Sequence, residues 1–272
     1  MENIIVSFSG GRTSAFMGRF LKDLYPEKNL IFVFANTGKE REETLEFVNK
    51  CDVEFKWDLI WVEYDIIDGN SSFRVVNYKT ASRNGEPFEK MISKYGLPNI
   101  SVPHCSRELK KMTIQRYLRS VGLKNGEYVT AIGKRADEEH RINRNEKFEI
   151  YPLCDIIKTD SEFIRNFWDS QPFDLQLLDY QGNCDMCYKK SFRKLMTLNR
   201  EDSKMIDWWE QMENKYGQSQ YTFFRENRNA FDIKEMSKRK FRLAMDNHLV
   251  QKLQYDLFDI DLDKEYDCSC KI

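Results

Sequence analysis

Asn3-Ile-Ile-Val-Ser-Phe-Ser-Gly-Gly-Arg-Thr-Ser14 reads as a strand, a tight turn and the start of a helix. The apolar run Ile4 to Phe8 is continuous, as in a strand buried on both faces, and from Arg12 the apolar spacing becomes helical. Gly10 and Gly11 open backbone angles closed to other residues, so successive N–H groups can converge at a helix N-terminus, where partial positive charge favours an anion. Ser9, Thr13 and Ser14 add hydroxyls at the same place. The spacing is neither a Walker A loop nor G-x-G-x-x-G. It suits a phosphate or pyrophosphate.

Working outward, Phe16, Met17, Phe20, Leu21 and Leu24 mark one face of the first helix, and Leu30 to Ala35 is a second continuous strand running into Asn36-Thr37-Gly38. A strand, helix and strand of this kind form a right-handed parallel unit, whose ligands lie at the carboxyl ends of the strands. Asn36 to Gly38 are therefore expected beside the Ser9 to Ser14 loop. A second helix is expected over Glu40 to Lys50, a third strand over Leu59 to Tyr64, and long loops from Asp68 to Pro103 broken by one short helix near Pro87 to Tyr95. Cys105 opens a helix over Ser106 to Ser120. Tyr128 to Ile132 is a fourth strand, ending in Gly133-Lys134-Arg135, where Lys134, Arg135 and Arg141 are candidates for gripping an anion and a solvated charged loop is the plain alternative. Tyr151 to Ile156 reads as extended, and Thr159-Asp-Ser-Glu162 as a capping box before a helix. Beyond Cys187 the spacing is helical, including a basic helix around Lys234 to Met245, and the last segment, Asp256 to Asp267, is acidic.

The composition bounds the function. The chain has 272 residues, 41% of them hydrophobic, enough for a large α/β core with a helical extension. Its net charge of −1, from 43 basic and 44 acidic residues, supplies no overall field toward nucleic acid or membrane. With no span-length apolar run and no signal-peptide pattern, a cytoplasmic location and no membrane partner are expected. Seven cysteines in such a chain point to metal binding or thiol chemistry before structural disulfides. Cys184-x-x-Cys187 alone is a metal knuckle or a redox pair, and Cys51 reads as a core thiol.

Several of these pieces, in order, resemble one family. Ser9-Gly10-Gly11-Arg12-Thr13-Ser14 resembles the pyrophosphate loop of the N-type ATP pyrophosphatases, also called adenine nucleotide alpha-hydrolases. Asn36-Thr37-Gly38 is similar to the D-T-G of their phosphoadenosine phosphosulfate (PAPS) reductase branch, and His104-Cys105-Ser-Arg-Glu-Leu-Lys110 to the segment carrying a Cys pair and a Lys there. Gly133-Lys134-Arg135…Arg141 is similar to the branch's G-x-R…R strand end, Pro152-Leu153 to its P-L, and Cys184-x-x-Cys187 to its second Cys pair. Residues 1–190 carry the resemblance. Three positions depart from it: Asn36 for the usual Asp, Cys105 as a single Cys, and a tail reading Cys268-Ser-Cys270 in place of Glu-Cys-Gly-Leu-His.

The resemblance implies an α/β fold with a five- to six-stranded parallel sheet and flanking helices over residues 1–190; the residue pattern beyond it adds a helical extension over 191–255 and an acidic tail over 256–272. It implies an adenine nucleotide, ATP or PAPS, held by Ser7, Ser9, Gly10, Gly11, Arg12, Thr13, Ser14, Asn36, Thr37, Gly38, Gly133 and Arg135. Lys110, Lys134 and Arg141 would hold the anionic end. Cys105, Cys154, Cys184 and Cys187 would bind a [4Fe–4S] cluster, with tetrahedral zinc or unligated thiols as alternatives. The activity implied first is reduction of a sulfonucleotide to sulfite, with Cys268 or Cys270 as the attacking thiolate and a thiol donor such as thioredoxin as partner. The alternative is an ATP pyrophosphatase that, with Mg²⁺, adenylates a substrate such as a nucleic-acid base for sulfur or nitrogen insertion. A non-catalytic nucleotide or nucleic-acid binding protein is the rival from another class, served by the basic helices near Lys110, Arg193 and Lys238. A homo-oligomer is compatible with each.

Overall fold

The computed structural model describes residues 2–182, 184–217 and 228–246. Six strands form one sheet in the order β4-β3-β2-β1-β5-β6: β1 Asn3–Phe8, β2 Asn29–Asn36, β3 Ile60–Ile67, β4 Asn70–Val76, β5 Tyr128–Ile132 and β6 Glu149–Ile150. The apolar runs read from the sequence are the central parallel strands, with Val6 opposite Phe32 and Ala131 in register. The chain builds outward from β1 through β2 to β3 and later returns to place β5 on the other flank of β1. The order therefore reverses between β1 and β5, the place in an open α/β sheet where a crevice forms outside the strands' carboxyl ends.

Helices cover both faces. The first, α1 (Arg12–Leu24), buries Ala15, Met17 and Leu21 against Val6 and Phe8, and α2 (Glu42–Phe55) adds Leu45, Val48 and Cys51 to the same core. Ile5, Val33 and Val62 point to the opposite face, where Ile114 and Leu118 of α4 (Thr113–Ser120) meet them. A further core joins α3 (Glu86–Tyr95), α7 (Phe192–Glu201), α8 (Lys204–Tyr216) and α9 (Ala230–Ser237) to Tyr64 of β3 through Phe88, Leu195, Trp209 and Ile233.

Several local expectations change. The stretch after β3, expected as loop, forms the antiparallel edge strand β4, because Asp68 and Gly69 both take positive φ and close a tight hairpin. Tyr151 to Ile156 is a short helix, α5 (Pro152–Asp155), with Pro152 supplying the fixed φ that suits a first turn. The cap of α6 (Ser161–Asp169) is Asp160, which accepts from the Phe163 amide at 2.8 Å, while Thr159 turns inward to the Leu153 carbonyl. The helix expected from Ser106 starts as a π-helix, Cys105–Met112, before α4. The basic helix expected to reach Met245 stops at Ser237. The expected extension end and acidic tail lie outside the described residues.

Candidate functional site

The turn between β1 and α1 carries the geometry expected of an anion site. Gly10 has φ +81°, and a Cβ there would come within 2.8 Å of Thr44 Cγ2, so the turn is pressed against α2 in a conformation suited to glycine. Gly11 is the N-cap of α1 and no side chain caps that helix. Its first-turn N–H groups and the positive end of its dipole are left to another acceptor. Ser14 Oγ donates to the Gly11 carbonyl at 3.0 Å, accepts from the Ser9 amide at 3.1 Å and lies 2.8 Å from Ser9 Oγ, which fixes the loop. Ser7, one residue from the end of β1, is 2% exposed and its Oγ has no hydrogen-bond partner among the described residues.

The end of β5 meets this turn directly. A Cβ on Gly133 would lie 2.9 Å from Ser14 Cα, so only glycine lets the two backbones approach so closely. Arg135 Nη1 donates to Thr13 Oγ1 at 3.2 Å, while Nε and Nη2 hold Asp137 at 2.9 and 3.1 Å. Glu138 bridges Arg135 and Arg141, and Lys134 Nζ donates to the Arg141 carbonyl while lying 5.5 Å from the Tyr151 ring centre. The sequence-expected cations Lys134, Arg135 and Arg141 thus form one knot beside the glycine turn.

Two residues expected at the nucleotide have side chains committed elsewhere. The Arg12 guanidinium clasps the 174–177 segment, at 2.7 Å to each Asp174 oxygen, 2.5 Å to the Leu175 carbonyl and 3.2 Å to that of Leu177. Asn36 is fully buried; its Nδ2 donates to Glu63 Oε1 at 2.5 Å and to the Ser82 carbonyl at 2.9 Å, and its Oδ1 accepts from the Gly38 amide at 3.2 Å. Its role is to shape the strand end. Gly38 takes φ +76° against Pro87 and Gly85. Thr37 offers its amide and hydroxyl to Glu40, at 2.9 and 2.8 Å. Glu40 was not among the sequence candidates; the T-x-x-E spacing of Thr37 and Glu40 was the signal that could have found it.

The thiols divide. Cys184 Sγ is 3.6 Å from Thr37 Oγ1 and 3.9 Å from Glu40 Oε1, at the carboxyl end of β2. Burial and the Glu40 charge raise its pKa well above the ordinary thiol range, while the Lys110 ammonium acts against them. Cys105 Sγ lies 3.7 Å from Tyr188 Oη, and packs with Cys184 on the core formed by α3, α7 and α8. Lys190, also missed by the sequence reading, is buried beside the pair, and burial pulls its pKa down to about 8 against the opposing charges of Cys187, Asp185 and Cys184. Cys154 is elsewhere: it packs with Ile132 and Tyr151, its Sγ 3.6 Å from Arg144. Among the described residues no group of three or more His, Cys, Asp or Glu side chains is arranged to hold a metal ion. Of the four thiols expected at one centre, Cys105 and Cys184 share a core, while α5 carries Cys154 beside the β5 end. Cys51 is fully buried in α2, its thiol pushed far up by desolvation. Cys268 and Cys270 lie outside the described residues.

Among the described residues, no helix is long and apolar enough to cross a membrane. No family model matches the sequence. Among solved structures, the U34-tRNA thiolase NcsA from Methanococcus maripaludis, with its [4Fe–4S] cluster, aligns with 99% of this chain and 80% of its own at 16% identity and a TM-score of 0.41. Among curated proteins, the uncharacterized nin region protein ORF290 of Escherichia phage lambda is 34% identical over 200 residues, which span 70% of this chain and 67% of that protein. At that identity and coverage, the chain belongs to the same family as the phage lambda nin region protein ORF290.

Proposed function

We propose that this protein is an adenine-nucleotide-dependent enzyme that cleaves ATP between the α- and β-phosphates, passing adenylate to an acceptor that is then open to sulfur or nitrogen insertion. One observation carries the reading. At the β1/β5 reversal of strand order, the uncapped N-terminus of α1 and the Arg135 guanidinium converge on Thr13, beside a β2 end shaped by Gly38. The resemblance of this loop to the pyrophosphate loop supports it.

In this reaction an acceptor oxygen attacks the α-phosphorus, the new O–P bond forms as the α–β bridging bond breaks, and pyrophosphate departs with the electron pair. The N–H groups of the Gly11–Ser14 turn and the Arg135 guanidinium are suited to that departing charge, since fixed dipoles need no reorganisation as it develops. Lys134 and Arg141 add positive potential at the same end. Mg²⁺, when bound to the nucleotide's phosphates, offsets their charge, and Asp137 and Glu138 are the carboxylates on this side of the site. Sulfonucleotide reduction is the second reading, favoured by the placement of Cys184 against Thr37. The expected attacking thiolates, Cys268 and Cys270, are not among the described residues, and burial with the Glu40 charge raises the Cys184 pKa, which works against a thiolate there.

Product analysis separates these readings. Protein purified without oxygen is incubated with ATP and Mg²⁺, and separately with PAPS and a reduced thiol donor. Release of pyrophosphate with AMP agrees with the proposal. Sulfite from PAPS overturns it in favour of reduction, and neither product, with nucleotide bound, leaves a binding protein. Iron and acid-labile sulfide analysis tests the cluster expectation, and Cys154→Ser is expected to leave any iron content unchanged.

A further inference from the structure

The Cys184–Lys190 loop is tied to the carboxyl end of β2 by a buried ion pair with both partners fully engaged. Asp185 donates its amide to the Lys39 carbonyl at 2.8 Å, and its Oδ2 lies 2.8 Å from Lys39 Nζ, the two side chains being 10% and 8% exposed. Asp185 Oδ1 accepts from the Met186 amide at 2.6 Å and from Trp209 Nε1 at 3.0 Å, and its carbonyl accepts from Lys190 Nζ at 3.2 Å. The Lys39 ammonium also sits 4.6 Å from the centre of the Trp208 ring.

Apolar contacts would stabilise this join at least as well as a buried ion pair, whose attraction is largely offset by desolvation. What charges and aimed hydrogen bonds add is a single register. That register sets the Cys184 thiol against Thr37 and Glu40, on the strand end that continues into Gly38. We propose that Asp185 and Lys39 are positioning residues that couple the Cys184 thiol to occupancy of the Thr37–Gly38 edge. The inference rests on the reading that a nucleotide occupies that edge. A ligand that fixes Thr37 and Glu40 fixes the surroundings of Cys184 through the latch, and coupling of this kind is reciprocal, so the state of Cys184 alters nucleotide affinity by the same factor.

The test reads alkylation of single cysteines by iodoacetamide, followed by peptide mass spectrometry, with α,β-methylene-ATP as the probe and its binding measured separately by calorimetry. In the native sequence, saturating probe is expected to slow labelling of Cys184 about tenfold, within the usual range of site-to-site coupling. In Asp185→Asn and in Lys39→Met the protection is expected to fall below about threefold, and Lys39→Arg is expected to restore it. Cys51, buried in α2, serves as the internal control: it stays unlabelled in any variant that keeps its fold. Probe binding with equal protection in native protein and folded variants overturns the coupling alone. Absence of probe binding overturns the nucleotide reading and the coupling with it. If both Asp185→Asn and Lys39→Met expose Cys51, the pair is structural and the proposal fails.

Discussion

Asn36 stands where the resembled reductase branch carries aspartate, and the structure supplies a physical reason. Its Nδ2 donates to Glu63, a fully buried carboxylate that also accepts from the Ser82 amide at 2.6 Å and from Arg74. An aspartate there would set two carboxylates against each other in a buried site, so one would have to hold a proton. Asn36→Asp is expected to cost about 3 kcal/mol at neutral pH. Because the folded carboxyl pKa would be raised above its unfolded value, the loss should shrink as pH falls toward the ordinary carboxylate range. Urea midpoints at several pH values check this. At the proposed anion site, Arg135→Ala removes a charged donor to Thr13 and to the proposed nucleotide's phosphates, and is expected to weaken α,β-methylene-ATP binding by roughly 10- to 100-fold by calorimetry. Gly133→Ala would drive a methyl into the Ser14 backbone, and about 1–3 kcal/mol of lost stability is expected from the shift in urea midpoint.

At the scale of one element, the π-helix Cys105–Met112 departs furthest from what periodicity suggests. Its i→i+5 bonding widens the turn, which brings residues five apart, such as Cys105 and Lys110, closer on its surface than an α-helix would. Thr113 Oγ1 donates to the Glu108 carbonyl at 2.7 Å, a hydroxyl taking up a backbone acceptor where the π-helix passes into α4. Glu108 is buried there between Arg116 and Arg107, both at 2.9 Å. Burial alone would raise its pKa, but the hydrogen bonds and charges of Arg116 and Arg107 outweigh it and hold the carboxyl below the usual range. Its contribution is thus present above the unfolded-state value of about 4.3 and lost as pH falls through the folded value. Glu108→Gln is expected to lower stability by about 3 kcal/mol at pH 7, since Arg116 loses its buried partner. The difference should vanish in acid, as thermal unfolding across pH can show.

At the scale of the whole molecule, the C-terminal helices share a core with the sheet. Trp209 of α8 packs edge-on to Phe88 of α3 at 4.9 Å and donates to Asp185, while Trp208 closes over Gly85, where any Cβ would come within 2.5 Å of its ring. We propose that the described helices after residue 190 are a continuation of the α/β unit. Unfolding followed by both fluorescence and circular dichroism is expected to show one coincident transition. Trp209→Ala should destabilise the whole by about 3–5 kcal/mol, and two separated transitions would contradict the continuation.

Local sequence sufficed for the central strands, the glycine turn, the Gly133–Arg135 strand end and most helices, because apolar periodicity and glycine placement act over a few residues. It also marked Ser9, Thr13, Ser14 and Arg135 as neighbours, since parallel strands bring their carboxyl ends to one edge. Tertiary structure alone turned Arg12 onto Asp174, set Asn36 on Glu63, parted Cys154 from Cys184 and joined Asp185 to Lys39. Each of these depends on partners distant in sequence whose charges and hydrogen bonds leave no periodic trace, and they become determined only when burial removes water as the competing partner.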